Sequence, residues 1–197
     1  LMLIGQITGV QASDTVIRKL SIDCQIDQQG TATFVEKWDM DVSEGTEGYK
    51  VFNKMDHQPI TLVNVVDDQG ITYQNIGEWD SNVSQEDKVN KCGLIKEGGH
   101  YEICFGIGDY GHRTYTMTYK ISHFVNQYKD QQGINYAFLS DMSLDVEQSI
   151  IHVKGIKPFN KNNSKIWAFG YTGEVNYENN GVTLKSEGTQ SGNKMQL

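Results

Sequence analysis

Side chains able to do chemistry are spread thinly along these 197 residues. The five histidines, His57, His100, His112, His123 and His152, show neither H-E-x-x-H nor H-x-H spacing, so no two of them are pre-aligned for a metal ion. A serine nucleophile would be marked by G-x-S-x-G between a strand and a helix, and that string is absent. Glycoside cleavage needs two carboxylates roughly 5 to 9 Å apart in a cleft. Glu78, Asp80, Glu86 and Asp87 meet that need by composition alone. Asp39, Asp41, Ser43 and Glu44 space their oxygens like a calcium loop, but Gly45 falls one place late and Lys50 stands where a bidentate glutamate belongs. On an extended strand Asp39 and Asp41 instead share one solvated face. The expectation is a protein that is not an enzyme, with no catalytic residue, no metal site and no cofactor.

The aromatic residues are more suggestive. Trp38, Trp79 and Trp167, with Tyr73, Tyr110, Tyr171 and Tyr177, can form a flat platform on which a sugar or peptide stacks. The same residue types also fill the cores of β-sandwiches. Trp38, Trp79, Trp167, Tyr110 and His112 are the candidate binding residues, with the loops Asp109 to His112 and Lys157 to Ser164 as contact surfaces.

Three cysteines are too few for a disulfide scaffold and lack metal spacing. If residues 94–95 and 100–105 are strands around a Lys96 to Gly99 turn, Cys92 faces Cys104 within bridging distance. Two free buried thiols are the equal alternative, and Cys24 belongs in the first strand.

What positions these groups is a chain of strands. Alternation at period two recurs from end to end, and no segment holds a helical pattern over ten or more residues. Strands are expected at 16–26, 31–42, 48–53, 60–67, 71–76, 101–107, 113–124, 136–138, 148–156, 165–169, 174–177 and 182–185. In the 113–122 stretch Tyr115, Met117, Tyr119 and Ile121 share a face, which marks a central strand. D-Q-Q-G at Asp27, D-D-Q-G at Asp67 and D-Q-Q-G at Asp130 read as turns closed by glycine, and Asn179-Asn180-Gly181 as a hairpin. Short helices are allowed at 84–89 and 140–147. The fold class is therefore all-β, an antiparallel β-sandwich over residues 13–186, in which 155–186 form either a small additional C-terminal sheet or its final strands.

The net charge of −8 and pI near 5.0 argue against nucleic acid, and disfavour anionic lipid for the same reason. Residues 1–12, LMLIGQITGVQA, read either as the back half of a signal peptide or as an ordinary first strand. Residues 187–197 are polar and Gly/Ser-rich, as in a linker or tail.

Tyr101 to Leu139 resembles the central part of a family of predicted membrane proteins, domain of unknown function 2207. The matching pieces are Gln28-Gln29-Gly30 followed by Phe34-Val35-Glu36, the strand Gly111 to Tyr119, the loop Asn126 to Asp130, and Phe169-Gly170 with Gly181-Val182. The chain departs from the family pattern at Leu139 to Leu144, where a Trp-Asn pair and a Gly-x-x-Trp are expected. The resemblance implies an extracytoplasmic β domain at the cell surface, with a membrane tether C-terminal to it. It points to a non-catalytic interaction or sensing module whose partner is a protein or a surface glycan. A carbohydrate-binding module using exposed aromatic residues is the alternative.

Overall fold

A computed structural model describes residues 14–188 and 193–197. The segment 1–12, read above as export-like, lies outside the described residues. In chain order the strands are β1 (Val16–Ile26), β2 (Ala32–Val42), β3 (Glu47–Phe52), β4 (Ile60–Asp67) and β5 (Gln74–Glu78). The short helix α1 (Gln85–Lys88) follows, then β6 (Lys91–Glu97), β7 (His100–Gly106), β8 (Gly111–Ile121), β9 (Asn126–Gln127) and β10 (Gln132–Gly133). The chain continues with β11 (Ala137–Leu139), β12 (Ser149–Lys154), β13 (Gly173–Glu178), β14 (Gly181–Ser186) and β15 (Met195–Gln196).

A seven-stranded sheet in the order β13-β14-β12-β1-β2-β8-β4 faces a four-stranded sheet in the order β3-β7-β6-β5. Their inner faces meet through aromatic rings. Trp38 and Tyr115 of the large sheet contact Phe105 of β7 at centroid distances of 5.9 and 4.6 Å, and Phe52 of β3 meets Tyr119 at 5.4 Å. The all-β sandwich expectation holds, but the sheets are mixed, because β1 pairs with β12 and β5 with β6 in parallel. Pairs so distant in sequence leave no local signature. β13 and β14 extend the edge of the large sheet through β12, so residues 155–186 build no sheet of their own.

Bulges reconcile the hydrophobic pattern with the pleat. The β1–β2 register shifts between Ile17 and Lys19, which turns Arg18 out and lets Ile17 and Leu20, three apart, both point inward. A shift between Leu62 and Asn64 in β4 does the same, leaving Val63 exposed while Leu62 and Val65 are buried. β8 pairs on both sides, and its Tyr115, Met117, Tyr119 and Ile121 are fully buried, as expected.

Two of the three Asp-x-x-Gly turns are copies in three dimensions. In each, the aspartate Oδ1 accepts backbone N–H bonds from the residues two and four positions on, at 2.9 to 3.0 Å. Gly30 and Gly70 close them at φ +74° and +78°. The third copy is different. Its turn runs from Tyr128 to Gln131, and Gly133 is already in β10. Asn179 and Asn180 both adopt positive φ, as a tight hairpin requires.

Several expectations need correction. Residues 140–147 are not helical. Ile17 N–H donates to the Asp145 carbonyl and Glu147 N–H to the Ile17 carbonyl, so this segment's backbone is drawn into bonds along β1. The fifth strand begins at Gln74 and not at Ile71. Residues 165–169 bridge only at Phe169, to Gln196. The tail is not all linker: β15 pairs with β11, and Met195 is fully buried.

The cysteine pairing also fails. The β6–β7 turn is tighter than expected, with Glu97 facing His100, so Cys92 faces Phe105, one residue beyond Cys104, and Cys104 faces Gly93. That offset of one residue sends the two thiols to opposite faces of the sheet. Cys24, Cys92 and Cys104 are free and buried. Burial pushes the Cys92 thiol up to about 11 and raises the other two further. Thiol reagent at pH 8 is therefore expected to label none of them in the folded protein and all three after denaturation. A native titre of one or more would contradict the packing.

Candidate functional site

The alternation of β2 places Phe34, Glu36, Trp38 and Met40 on the inner face, so a carboxylate enters the core between aromatic rings. Glu36 is wholly buried. Its Oε1 accepts from the Trp38 indole N–H at 2.7 Å and from Lys50 Nζ at 2.9 Å, and its Oε2 accepts from the Tyr119 hydroxyl at 2.7 Å. Lys50 reaches inward from β3 and donates a second hydrogen bond to the Phe138 carbonyl at 3.0 Å. Two ions lose several kcal/mol each on leaving water, and only such complete hydrogen bonding offsets the loss. The Tyr119 phenol is pushed well above its usual range by burial first and then by the Glu36 charge, so it stays a donor. A cleft of about 200 Å³ lies over this cluster, lined by Lys50, Asn53, Gln58, Tyr136 and Ser140 among others.

The same device recurs on the other face of the smaller sheet. Glu47 Oε2 accepts from the Trp79 indole N–H at 2.7 Å and sits 3.0 Å from the buried Lys88 Nζ. Lys88 also donates to Thr46 Oγ1 and to the Ser81 carbonyl, at 3.0 and 2.8 Å. Both clusters spend their donors inward, so each ties neighbouring strands or loops together as an internal lock.

These locks place the sequence-predicted residues. Trp38 and Trp79 are 1% and 5% exposed, so a stacking platform of three tryptophans is not assembled. Of the three, Trp167 alone faces solvent, at 62%. Tyr110 is half exposed and donates its hydroxyl to the Gly45 carbonyl at 3.2 Å. His112 lies beside it at the start of β8, directly across from Asp41.

Its ring nitrogens stand 3.1 Å from Asp41 Oδ1 and 3.1 Å from Asp39 Oδ1, which share the outer face of β2. Hydrogen bonds from His112 and then from Arg18 hold the Asp41 carboxyl below its usual range. Arg113 is ringed by Asp67, Asp68 and Asp109 at 3.0 to 3.6 Å. The Asp109 to His112 loop thus belongs to a charged end of the large sheet. Asp41 is shared there between His112 and Arg18, Asp39 Oδ1 lies near His112 without a hydrogen bond, and among the described residues no acidic, His or Cys group is arranged to hold a metal ion. Sequence reasoning missed Glu36, Lys50, Glu47 and Lys88 as partners, although a charge in the apolar phase of a strand was there to be read.

Among solved structures, the chain is similar to a candidate protease from Parabacteroides distasonis, at 11% identity and TM-score 0.51, covering 94% of this chain and 40% of that one. It is also similar to leukotriene A4 hydrolase from Saccharomyces cerevisiae, at 7% identity and TM-score 0.51, covering 93% of this chain and 29% of that one. The chain therefore spans less than half of either structure, and at such identity the likeness is one of fold. No curated protein matches the chain at a significant level. Among the described residues no helix is long and apolar enough to cross a membrane. The profile of one family runs over residues 16–196, from the first strand to the last, and the chain belongs to it: the N-terminal domain of the predicted membrane proteins called domain of unknown function 2207.

Proposed function

We propose that this domain is a non-catalytic interaction or sensing module, carried on the extracytoplasmic side of a membrane protein. The observation that carries the reading is its place as the N-terminal domain of a membrane-protein family. The inward commitment of Glu36, Lys50, Glu47 and Lys88 supports it, because these buried ion pairs are consumed as structure. The proposed contact surface is the loop end bearing Tyr110 and His112, where an exposed phenol and an exposed imidazole sit among Asp39, Asp41 and Asp109. Such a mixture of aromatic and charged groups suits a protein or a surface glycan.

A membrane-impermeant maleimide tests the address. With Asn162→Cys in the full-length protein, intact cells should label at that position, since the native thiols are buried. Labelling that appears only after lysis would put the domain on the other side. A photo-crosslinking residue at Tyr110 should then yield a discrete adduct that Asp109→Lys weakens. Loss of the adduct in the parent protein would remove this surface from consideration.

A further inference from the structure

The charge of the chain is unevenly distributed. Residues 148–173 contain four lysines, Lys154, Lys157, Lys161 and Lys165, and no aspartate or glutamate, in a protein whose acids outnumber its Lys and Arg by 25 to 17. The same stretch carries the most exposed large apolar side chains among the described residues, Trp167 at 62%, Phe169 at 60% and Ile156 at 56%.

This stretch is fixed to the fold. Phe159 N–H donates to the Asn180 carbonyl at 3.3 Å, and the Tyr177 hydroxyl donates to the Ser164 carbonyl at 2.7 Å. Ile166 and Ala168 pack on the core, so Lys165, Trp167 and Phe169 are turned together to the opposite, solvent side. Phe169 exchanges backbone bonds of 3.0 and 3.1 Å with Gln196, which brings exposed Lys194 alongside Gly170. The neighbouring hairpin holds Glu174 and Glu178, and Glu178 is paired with Lys185. Among the described residues, both rings stand open to solvent.

We propose that this edge seats on the surface of an anionic bilayer. Indole and phenyl rings settle at the headgroup boundary, and lysines beside them are drawn to anionic lipid within a Debye length. The chain's net −8 opposes binding from solution, so the contact is one that a membrane-attached domain makes at high local concentration. The inference rests on the membrane attachment of the family, and holds for either side of the membrane.

The natural fluorophores supply the test. Trp38 and Trp79 are buried, so quenching by aqueous acrylamide reports Trp167. The chain carrying a C-terminal His tag is held on nickel-chelating vesicles, either pure phosphatidylcholine or equal parts phosphatidylcholine and phosphatidylglycerol. On the anionic vesicles the Trp167 emission should shift to the blue and its quenching constant should fall several-fold. On neutral vesicles both should stay at their solution values. The variant Lys157→Glu/Lys161→Glu/Lys165→Glu, altered only at exposed positions, should remain quenchable on both, and Phe169→Ala should lose part of the protection. Equal quenching of the parent protein in solution and on both vesicle types overturns the proposal. Because the vesicle assay does not depend on which side of the cell membrane the domain occupies, its failure is separate from a failure of the maleimide test of address.

Discussion

Glu36→Ala is expected to destabilise the fold by about 3 to 5 kcal/mol, a large share of what holds a domain of this size together. Truncation leaves the Lys50 ammonium buried with only the Phe138 carbonyl as an acceptor. It also strips the acceptor from the Trp38 indole N–H and from the Tyr119 hydroxyl, each of which then carries an unmet desolvation cost of about 1 to 3 kcal/mol. Cavity relaxation will overlap these terms, so they do not simply add. Urea unfolding followed by tryptophan emission measures the change. The discriminating comparison is Glu36→Gln/Lys50→Met, which removes both charges but keeps an amide oxygen to accept from the Trp38 indole and an amide N–H that can donate to the Tyr119 hydroxyl in place of the bond it made to Oε2. The double variant should be milder than Lys50→Met alone, which leaves a buried carboxylate without its counter-ion. A loss under about 1 kcal/mol for Glu36→Ala would mean that water reaches the cluster.

The cluster also marks where the sequence could be read and where it could not. β1 and β4 run from the residues expected to the residues expected, because period-two alternation and the Asp-x-x-Gly turns are local signals. The turn at Asp130 carries the same letters, yet its pairing is set by β9 and β10. The parallel partner of β1 lies more than a hundred residues downstream, so neither its register nor the bonds that unmake a helix at 140–147 can be inferred locally. Glu36 and Lys50 were legible in one respect. Each occupies the apolar phase of its strand, between Phe34 and Trp38 in one case and between Gly48 and Phe52 in the other. What was missing is that the two phases face each other across the sandwich, which is a tertiary fact. The tryptophans show the same limit: an indole N–H facing a buried glutamate and one facing a sugar share a sequence signature.

Gly106→Ala should be nearly as damaging, at about 3 kcal/mol, the upper end of the usual overpacking range. A Cβ on Gly106 would lie 1.9 Å from the carbonyl oxygen of Lys88 and 2.3 Å from its carbonyl carbon, both backbone atoms at the end of α1. The helix has little freedom to retreat. Its Lys88 is bound to Thr46, Ser81 and Glu47, and the Gln85 side-chain amide donates to the Ile107 carbonyl at 3.0 Å. Relief of the clash therefore requires opening the Glu47–Lys88 lock, which also frees the Trp79 indole N–H from its acceptor. The variant should accordingly show a second quenchable tryptophan beside Trp167, and a Cys104 that reacts with thiol reagent, since that thiol is shielded on the same side. Gly70→Ala provides the control. Gly70 sits at φ +78° with nothing within 4 Å of its added Cβ, so only backbone strain of about 1 to 2 kcal/mol is at stake and Trp79 should stay shielded. If Gly106→Ala cost no more than Gly70→Ala, α1 would be free to lift from β7, and the Trp79 cluster would be a surface contact and not a lock.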